Sequence, residues 1–391
     1  MKNKLKVAGI VLALVVVSFL GYKGYTKVRD GYDKFINNDV VGENIAEDEN
    51  STIYDEDTAD QVDVTKENEN IENNDVGPNV HDSDLSSTID KTDEEDEATD
   101  ASTVPVETVP VETVSVETES VETALNIINP SLNLDASSAL LMDAQTGKVI
   151  FHKNATNRVY PASTVKIMTA LVALDICDKE EEITIGDEIS LMAIDSSRAY
   201  LNKGEKLTLE MLLEGLLLPS GNDAAYSVAT YVGRKVSKDN SLLATEAVNV
   251  FVELMNHKAK ELGLKDTNFM NPDGYDHDMQ YTTAYDMAII AKEALNNELI
   301  CNITKMQRAR NIFLSGEDVT WNSGNKLISV GSGVYYKYAI GLKSGTSSLA
   351  GRCMVSAAKK EDKTYISVVM NSTATGRWED SLTLLKYGIE N

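Results

Sequence analysis

Between Asp30 and Thr123 the chain carries 30 aspartate and glutamate residues against three lysines, Lys34, Lys66 and Lys91. A segment with that balance repels itself and has too little apolar surface to offset the entropy of ordering it. It closes in a degenerate five-residue repeat: Val104-Pro105-Val106-Glu107-Thr108, Val109-Pro110-Val111-Glu112-Thr113, Val114-Ser115-Val116-Glu117-Thr118. Prolines and like charges favour an extended tether. Any packed core is therefore confined to the residues that follow. Three regions result: residues 1–29, a disordered acidic linker over 30–125, and one folded domain over 126–391.

The net charge of −26 belongs to the linker, since the residues after 123 carry only −5 and the first 29 carry +6. Neither the acidic balance nor the domain offers a basic stripe for nucleic acid. Val7 to Tyr22 is a 16-residue run without charge behind Lys2, Lys4 and Lys6. Its length and the leading lysines read as an uncleaved single-pass membrane anchor with the N-terminus inside. A cleaved signal peptide is the alternative. On either reading the domain is exported to the extracytoplasmic side of the cell membrane. The three cysteines (Cys177, Cys301, Cys353) form no framework, and the four histidines show no metal-ligand spacing, so neither a metal nor another cofactor is expected.

The domain begins as a hairpin, an apolar strand from Leu141, a turn at Asp143–Gly147 and a second strand through Val149-Ile150-Phe151. Helical periodicity follows: a helix from Ser163 with Ile167, Leu171 and Leu174, an apolar run from Leu207 to Leu218, and a helix after Pro219-Ser220-Gly221-Asn222-Asp223. Two more are Ala244–Leu262, stopped by Gly263, and one capped by Thr283 and Asp286. The period then changes to two over Ala339–Lys343, Arg352–Ala358 and Lys363–Met370, before a last helix, Trp378–Tyr387. This order implies an α+β fold whose mainly antiparallel sheet is built from both ends of the domain and flanked by helices.

Tyr160-Pro161-Ala162-Ser163-Thr164-Val165-Lys166 stands where a turn feeds the first turn of a helix. Residues three apart share a helical face, so Ser163 and Lys166 lie side by side. A serine becomes a nucleophile when a neighbouring base takes its proton, and a lysine is that base only when burial or a second cation makes it a neutral amine. Ser323/Lys326 and Ser356/Lys359 repeat the spacing, but the first pair lies in a polar loop and the second in an alternating run. Ser220 and Asn222 place a hydroxyl and an amide two residues apart in a turn, either for chemistry or for helix capping. Lys343-Ser344-Gly345-Thr346 reads as a strand with Lys343 and Gly345 on one face, the lysine for charge and the glycine for close approach of a substrate backbone. The alternative for Lys343 is an edge-strand lysine that discourages aggregation. Asp276-His277-Asp278 reads as a solvated loop.

Ser163-x-x-Lys166, Ser220-Gly221-Asn222 and Lys343-Ser344-Gly345, in that order and setting, resemble the penicillin-recognising acyl-serine enzymes. With Asn271-Pro272-Asp273-Gly274 and Thr283-Ala284-Tyr285-Asp286, residues 136–391 resemble the D-alanyl-D-alanine carboxypeptidases, the low-molecular-weight penicillin-binding proteins. The resemblance implies a β-lactamase/transpeptidase-like fold with a helical subdomain. It implies a serine peptidase that removes the terminal D-alanine of a peptidoglycan stem peptide through an acyl-enzyme and is inhibited by β-lactams. Ser163, Lys166 and Ser220 would be catalytic. Asn222, Lys343, Ser344, Gly345 and Thr346 would bind substrate, with the N–H groups of Ser163 and Thr346 holding the oxyanion. Arg377, in the Gly376-Arg377 that opens the last helix, would anchor the substrate carboxylate, its alternative being a pairing with Glu379 or Asp380. Ser344 departs from the family's usual threonine but keeps the hydroxyl. Other readings stay open: a D,D-endopeptidase, a β-lactamase-like hydrolase, for which no deacylating Glu-x-x-x-Asn occurs between Asn222 and Lys343, or a slow-turnover penicillin-binding sensor or scaffold.

Overall fold

A computed structural model describes residues 121–391; the proposed anchor and the linker up to residue 120 lie outside the described residues. After a helical turn at Val121–Ala124 the chain forms β1 (Ser138–Asp143) and β2 (Val149–Lys153). The segment between is already tied to the domain, His152 Nε2 donating to the Leu125 carbonyl at 2.9 Å and Asn129 pairing with the His152 backbone. A 3-10 turn, Ala162–Val165, runs straight into helix α1 (Lys166–Leu174). Strands β3 (Glu182–Thr184) and β4 (Lys206–Thr208) then pair, followed by α2 (Leu209–Leu217), α3 (Asn222–Ser237), α4 (Ala244–Glu261), α5 (Ala284–Ala294) and α6 (Glu298–Lys305). A hairpin of β5 (Arg308–Ile312) and β6 (Asp318–Asn322) precedes β7 (Ala339–Ser347), β8 (Gly351–Lys360), β9 (Lys363–Ser372) and the last helix, α7 (Gly376–Glu390).

The main sheet has the order β2-β1-β9-β8-β7 and is antiparallel throughout. Its two sequence-distant halves join where β1 pairs β9, Leu140 opposite Val368. Both faces are covered, which is why β8 and β9 read as near-continuous apolar runs. Successive side chains point to opposite faces. Leu140, Val355, Ala357 and Val368 therefore meet the helical layer, while Leu141, Met354, Ala358 and Val369 meet Trp378, Leu384 and Leu385 of α7.

Helix α1 is buried from Lys166 through Ala173. A helix apolar on nearly every side belongs in the middle of a core, so the lysine that opens it is carried into the interior. The two short hairpins escape the periodicity argument because three to five residues give too few alternations. What reads as one helix from Leu207 is the end of β4 and then α2, with the Thr208 hydroxyl capping at the Met211 N–H, 3.3 Å. Ser356 lies within β8 at 0% exposure, and Ser323 lies in the loop after β6, so neither serine stands on a helix with its lysine. No helix among the described residues is long and apolar enough to cross a membrane.

One carboxylate clasps the ends of the fold. Asp380 of α7, 4% exposed, accepts from the Asp135 N–H at 3.0 Å, the Ala136 N–H at 2.8 Å and the Ser372 hydroxyl at 3.1 Å. Asp380→Ala leaves buried donors unpaired and should destabilise the domain by about 3 kcal/mol in urea unfolding; a loss under ~0.5 kcal/mol would mean that packing alone holds α7 to the sheet.

Candidate active site

Ser163 stands in the 3-10 turn, after Ala162 in the left-handed region (φ +48°). For a residue with a Cβ that conformation costs energy and persists only where the surroundings impose it. What imposes it is a backbone contact: a Cβ on Gly274 (φ +84°) would stand 1.9 Å from the Ala162 carbonyl oxygen. Glycine alone lets the Asn271–Asp276 loop close on the serine turn.

Lys166 is fully buried, and its Nζ lies 2.9 Å from Ser163 Oγ, 2.7 Å from Asn222 Oδ1 and 2.7 Å from the Asp273 carbonyl oxygen. Burial pushes the lysine down to about 8, against the opposing pull of the Asp273 and Asp223 carboxylates. A neutral amine has two N–H groups and one lone pair. The amide and peptide oxygens only accept, so they take the two N–H groups, and the lone pair faces the Ser163 hydroxyl. This is the arrangement a general base requires.

The Asn222 amide N–H in turn donates to the Asp273 carboxylate. Asn222 opens α3 but makes no capping bond; its side chain is turned to Lys166 and Asp273 instead. Its neighbour Asp223, 1% exposed, accepts from the Ala199 N–H at 2.8 Å and the Leu201 N–H at 3.1 Å, fixing the 195–201 segment as one wall of the cleft. Trp321 of β6 braces that wall, its indole N–H donating to the Ala199 carbonyl at 2.8 Å. Ser197 donates to the Ser220 carbonyl at 2.6 Å. Ser220 itself is half-buried at φ +67°, and its hydroxyl is bonded to neither lysine among the described residues.

Strand β7 forms the opposite wall. Lys343, 3% exposed, donates to the Ser344 carbonyl at 2.9 Å and lies well below its ordinary pKa, through burial and then the charges of Lys166 and Arg377. Burial lowers both lysines, and the repulsion between them acts on the pair, with two carboxylates opposing the shift at Lys166. At Gly345 a Cβ would stand 3.0 Å from Ala162 Cβ and 3.1 Å from the Ser163 nitrogen, so the missing side chain admits the serine turn. Ser344 points to the other face of the strand and takes part through its carbonyl.

Arg377 donates to the Thr346 hydroxyl at 2.8 Å and the Gly345 carbonyl at 3.1 Å. It pairs with no acid among the described residues, and its Nε is buried without a partner, against the reading that pairs it with Glu379 or Asp380. Burial, and then Arg352, lower its pKa. Ser163, Asn222, Ser197, Tyr275, Asp276 and Thr346 all line one cavity of about 140 Å³. Asp276, read from sequence as solvated, belongs to this cleft and accepts from the Leu349 N–H at 3.0 Å, while the Tyr275 hydroxyl reaches Asp195 at 3.1 Å. A larger cavity, about 660 Å³ between β3 and α3, holds none of the expected residues. Among the described residues no three His, Cys, Asp or Glu side chains are grouped to hold a metal. Sequence reasoning missed Asp273, Asp223, Ser197 and Asp195; the Asn-Pro-Asp-Gly string was the one pointer, and it does not say what the aspartate touches.

Residues 124–374 match the family model described as D-alanyl-D-alanine carboxypeptidase. The chain is 35% identical over 246 residues to D-alanyl-D-alanine carboxypeptidase DacF of Bacillus subtilis, a match covering 61% of this chain and 58% of that protein. It is 35% identical over 257 residues to a Streptomyces D-alanyl-D-alanine carboxypeptidase, covering 63% and 84% respectively. The crystal structure of the Streptomyces K15 DD-transpeptidase superposes with a TM-score of 0.61 at 32% identity, over 68% of this chain and all of that one. The α+β penicillin-binding fold is thus the architecture of residues 121–391.

If the serine proton passes to the neutral amine, the rate at which a β-lactam acylates Ser163 should climb with pH and level off above about 8, where Lys166 loses its charge. Stopped-flow acylation across that range checks this; a flat profile would show that Lys166 is not the base.

Proposed function

The chain belongs to the D-alanyl-D-alanine carboxypeptidase family, and we propose that it removes the terminal D-alanine from peptidoglycan stem pentapeptides by acyl transfer through Ser163. The observation that carries this is the fully buried Lys166, whose Nζ is held by the Asn222 and Asp273 oxygens and stands 2.9 Å from the Ser163 hydroxyl. Ser163 Oγ bonds to the carbonyl carbon between the last two D-alanines and its proton passes to Lys166. The N–H groups of Ser163 and Thr346 stabilise the oxyanion. The C–N bond breaks, and the proton on Lys166 reaches the departing nitrogen through the Ser220 hydroxyl, which engages once substrate fills the cleft. Water then adds to the ester and releases the tetrapeptide acid. The N-terminal apolar run holds the protein in the cell membrane and the acidic linker carries the domain into the wall.

A second reading draws on the Streptomyces neighbour, which is named a transpeptidase: an amine rather than water takes the acyl group. Incubation of a stem pentapeptide with and without a D-amino acid acceptor separates the two by product mass. For the nucleophile, intact-protein and peptide mass spectrometry after penicillin treatment should place one label on Ser163; label on another residue, or none, overturns the assignment.

Arg377 would receive the substrate's free carboxylate. A guanidinium without an acid partner, steered onto Thr346, is poised for a bidentate pair. Arg377→Ala should slow hydrolysis of free-acid peptides by roughly ten- to a hundredfold, about 1.4–2.8 kcal/mol of barrier, and spare ester or amide analogues that lack the carboxylate. Equal losses on both substrate classes would make Arg377 a structural residue.

A further inference from the structure

Asp273 is 1% exposed and spends every acceptor it has inside the site. Its carbonyl oxygen accepts from Lys166 at 2.7 Å, one carboxylate oxygen accepts from the Tyr275 N–H at 3.1 Å, and the other accepts from the Asn222 amide. An asparagine amide can present either end to a neighbour, and the two ends have opposite consequences here. With Oδ1 toward Lys166, the amine gives that oxygen an N–H and keeps its lone pair for Ser163. Turned over, the amide would offer an N–H to Nζ, and the lone pair would be consumed there.

Other groups near Asn222 hold the amide weakly or not at all. Ser197 Oγ stands 3.5 Å from Oδ1. The Asp223 carboxylate is occupied by the Ala199, Leu201 and Ala224 N–H groups. We propose that the Asp273 carboxylate is a positioning residue for the base: by accepting the Asn222 N–H it turns the Asn222 oxygen onto Lys166 and leaves the amine's lone pair to the serine. The proposal rests on the reading of Ser163 as the acylated nucleophile.

The titratable groups around this pair are Lys166 on α1, Asp223 and Tyr226 on α3, Tyr275 in the same loop as Asp273, and Lys343 on β7. Burial raises the Asp273 pKa while the charge on Lys166 holds it down; seen from the lysine, the same carboxylate retains a proton on Nζ. Asp273 thus aligns the base and also opposes its deprotonation, two effects that different substitutions separate. Asp273→Asn keeps an oxygen for Asn222 and removes the charge. Asp273→Ala removes both, and Asp273→Ser removes the charge and leaves a hydroxyl one bond short of the Asn222 amide.

The test is the rate of labelling of the full-length protein by a fluorescent penicillin as a function of pH, with thermal melts to establish that each variant folds. Asp273→Asn should move the acid limb by about one pH unit toward lower pH while keeping its plateau within roughly threefold of the parent's. Asp273→Ala, or Asp273→Ser should the alanine variant not fold, should lower the plateau on the order of tenfold or more, as misplacement of a reacting group does. A parental plateau in the folded truncation, or a plateau in Asp273→Asn as low as the truncation's, overturns the proposal. A parent protein that takes no label overturns the nucleophile reading itself, whereas a labelled parent whose folded truncation keeps the parental plateau overturns only the role of Asp273.

Discussion

A lysine amine in the interior needs a partner for each N–H and for its lone pair, because an unpaired buried polar group costs several kcal/mol. Lys166 opens a helix whose remaining residues are core, so its amine has no route to water. Three partners are brought to it from three places: Ser163 from its own turn, Asn222 from the start of α3, and the Asp273 carbonyl from the Asn271–Asp276 loop. The domain must close these segments onto α1 to satisfy one nitrogen. The same closure assembles the chemistry.

Such closure is possible only where backbones approach more closely than side chains permit. Gly274 lies against Ala162 from one side and Gly345 from another, so the serine turn is held between a loop and a sheet strand. Its left-handed Ala162 follows from that confinement. Behind the loop walls, carboxylates hold backbone N–H groups in place: Asp223 the 195–201 segment, Asp276 the β7–β8 turn and Asp380 the ends of the sheet. These acids work as acceptors of fixed geometry, which explains why so many are buried without a salt bridge.

Charge is distributed asymmetrically across the cleft. Buried acids sit on the side of α3 and the Asn271–Asp276 loop, while Lys343 and Arg377 face from β7 and α7, with Arg352 close to Arg377. On the proposed reading, a substrate that ends in a carboxylate would be drawn to the second side. The burial that lowers both lysines makes their charge states depend on each other, so binding of an anion beside Lys343 favours a proton there rather than on Lys166.

Period-two and period-3.6 patterns were enough to read the five-stranded sheet, its origin in both ends of the domain, and the long helices, since each of those elements buries enough residues to repeat its pattern. The Ser163/Lys166 pair was legible because three residues on a helix fix a shared face whatever surrounds them. By contrast, β3–β4 and β5–β6 are too short to show a period. The identity of Asp273 as a partner of Asn222, the service of Gly345 to the serine turn, the inclusion of Asp276 in the cleft and the nearness of Lys343 to Lys166 all depend on contacts between residues about 50 to 180 positions apart. Local sequence determines which face a side chain occupies; which distant oxygen meets it, and how dry the meeting place is, are decided only when the sheet and helices pack.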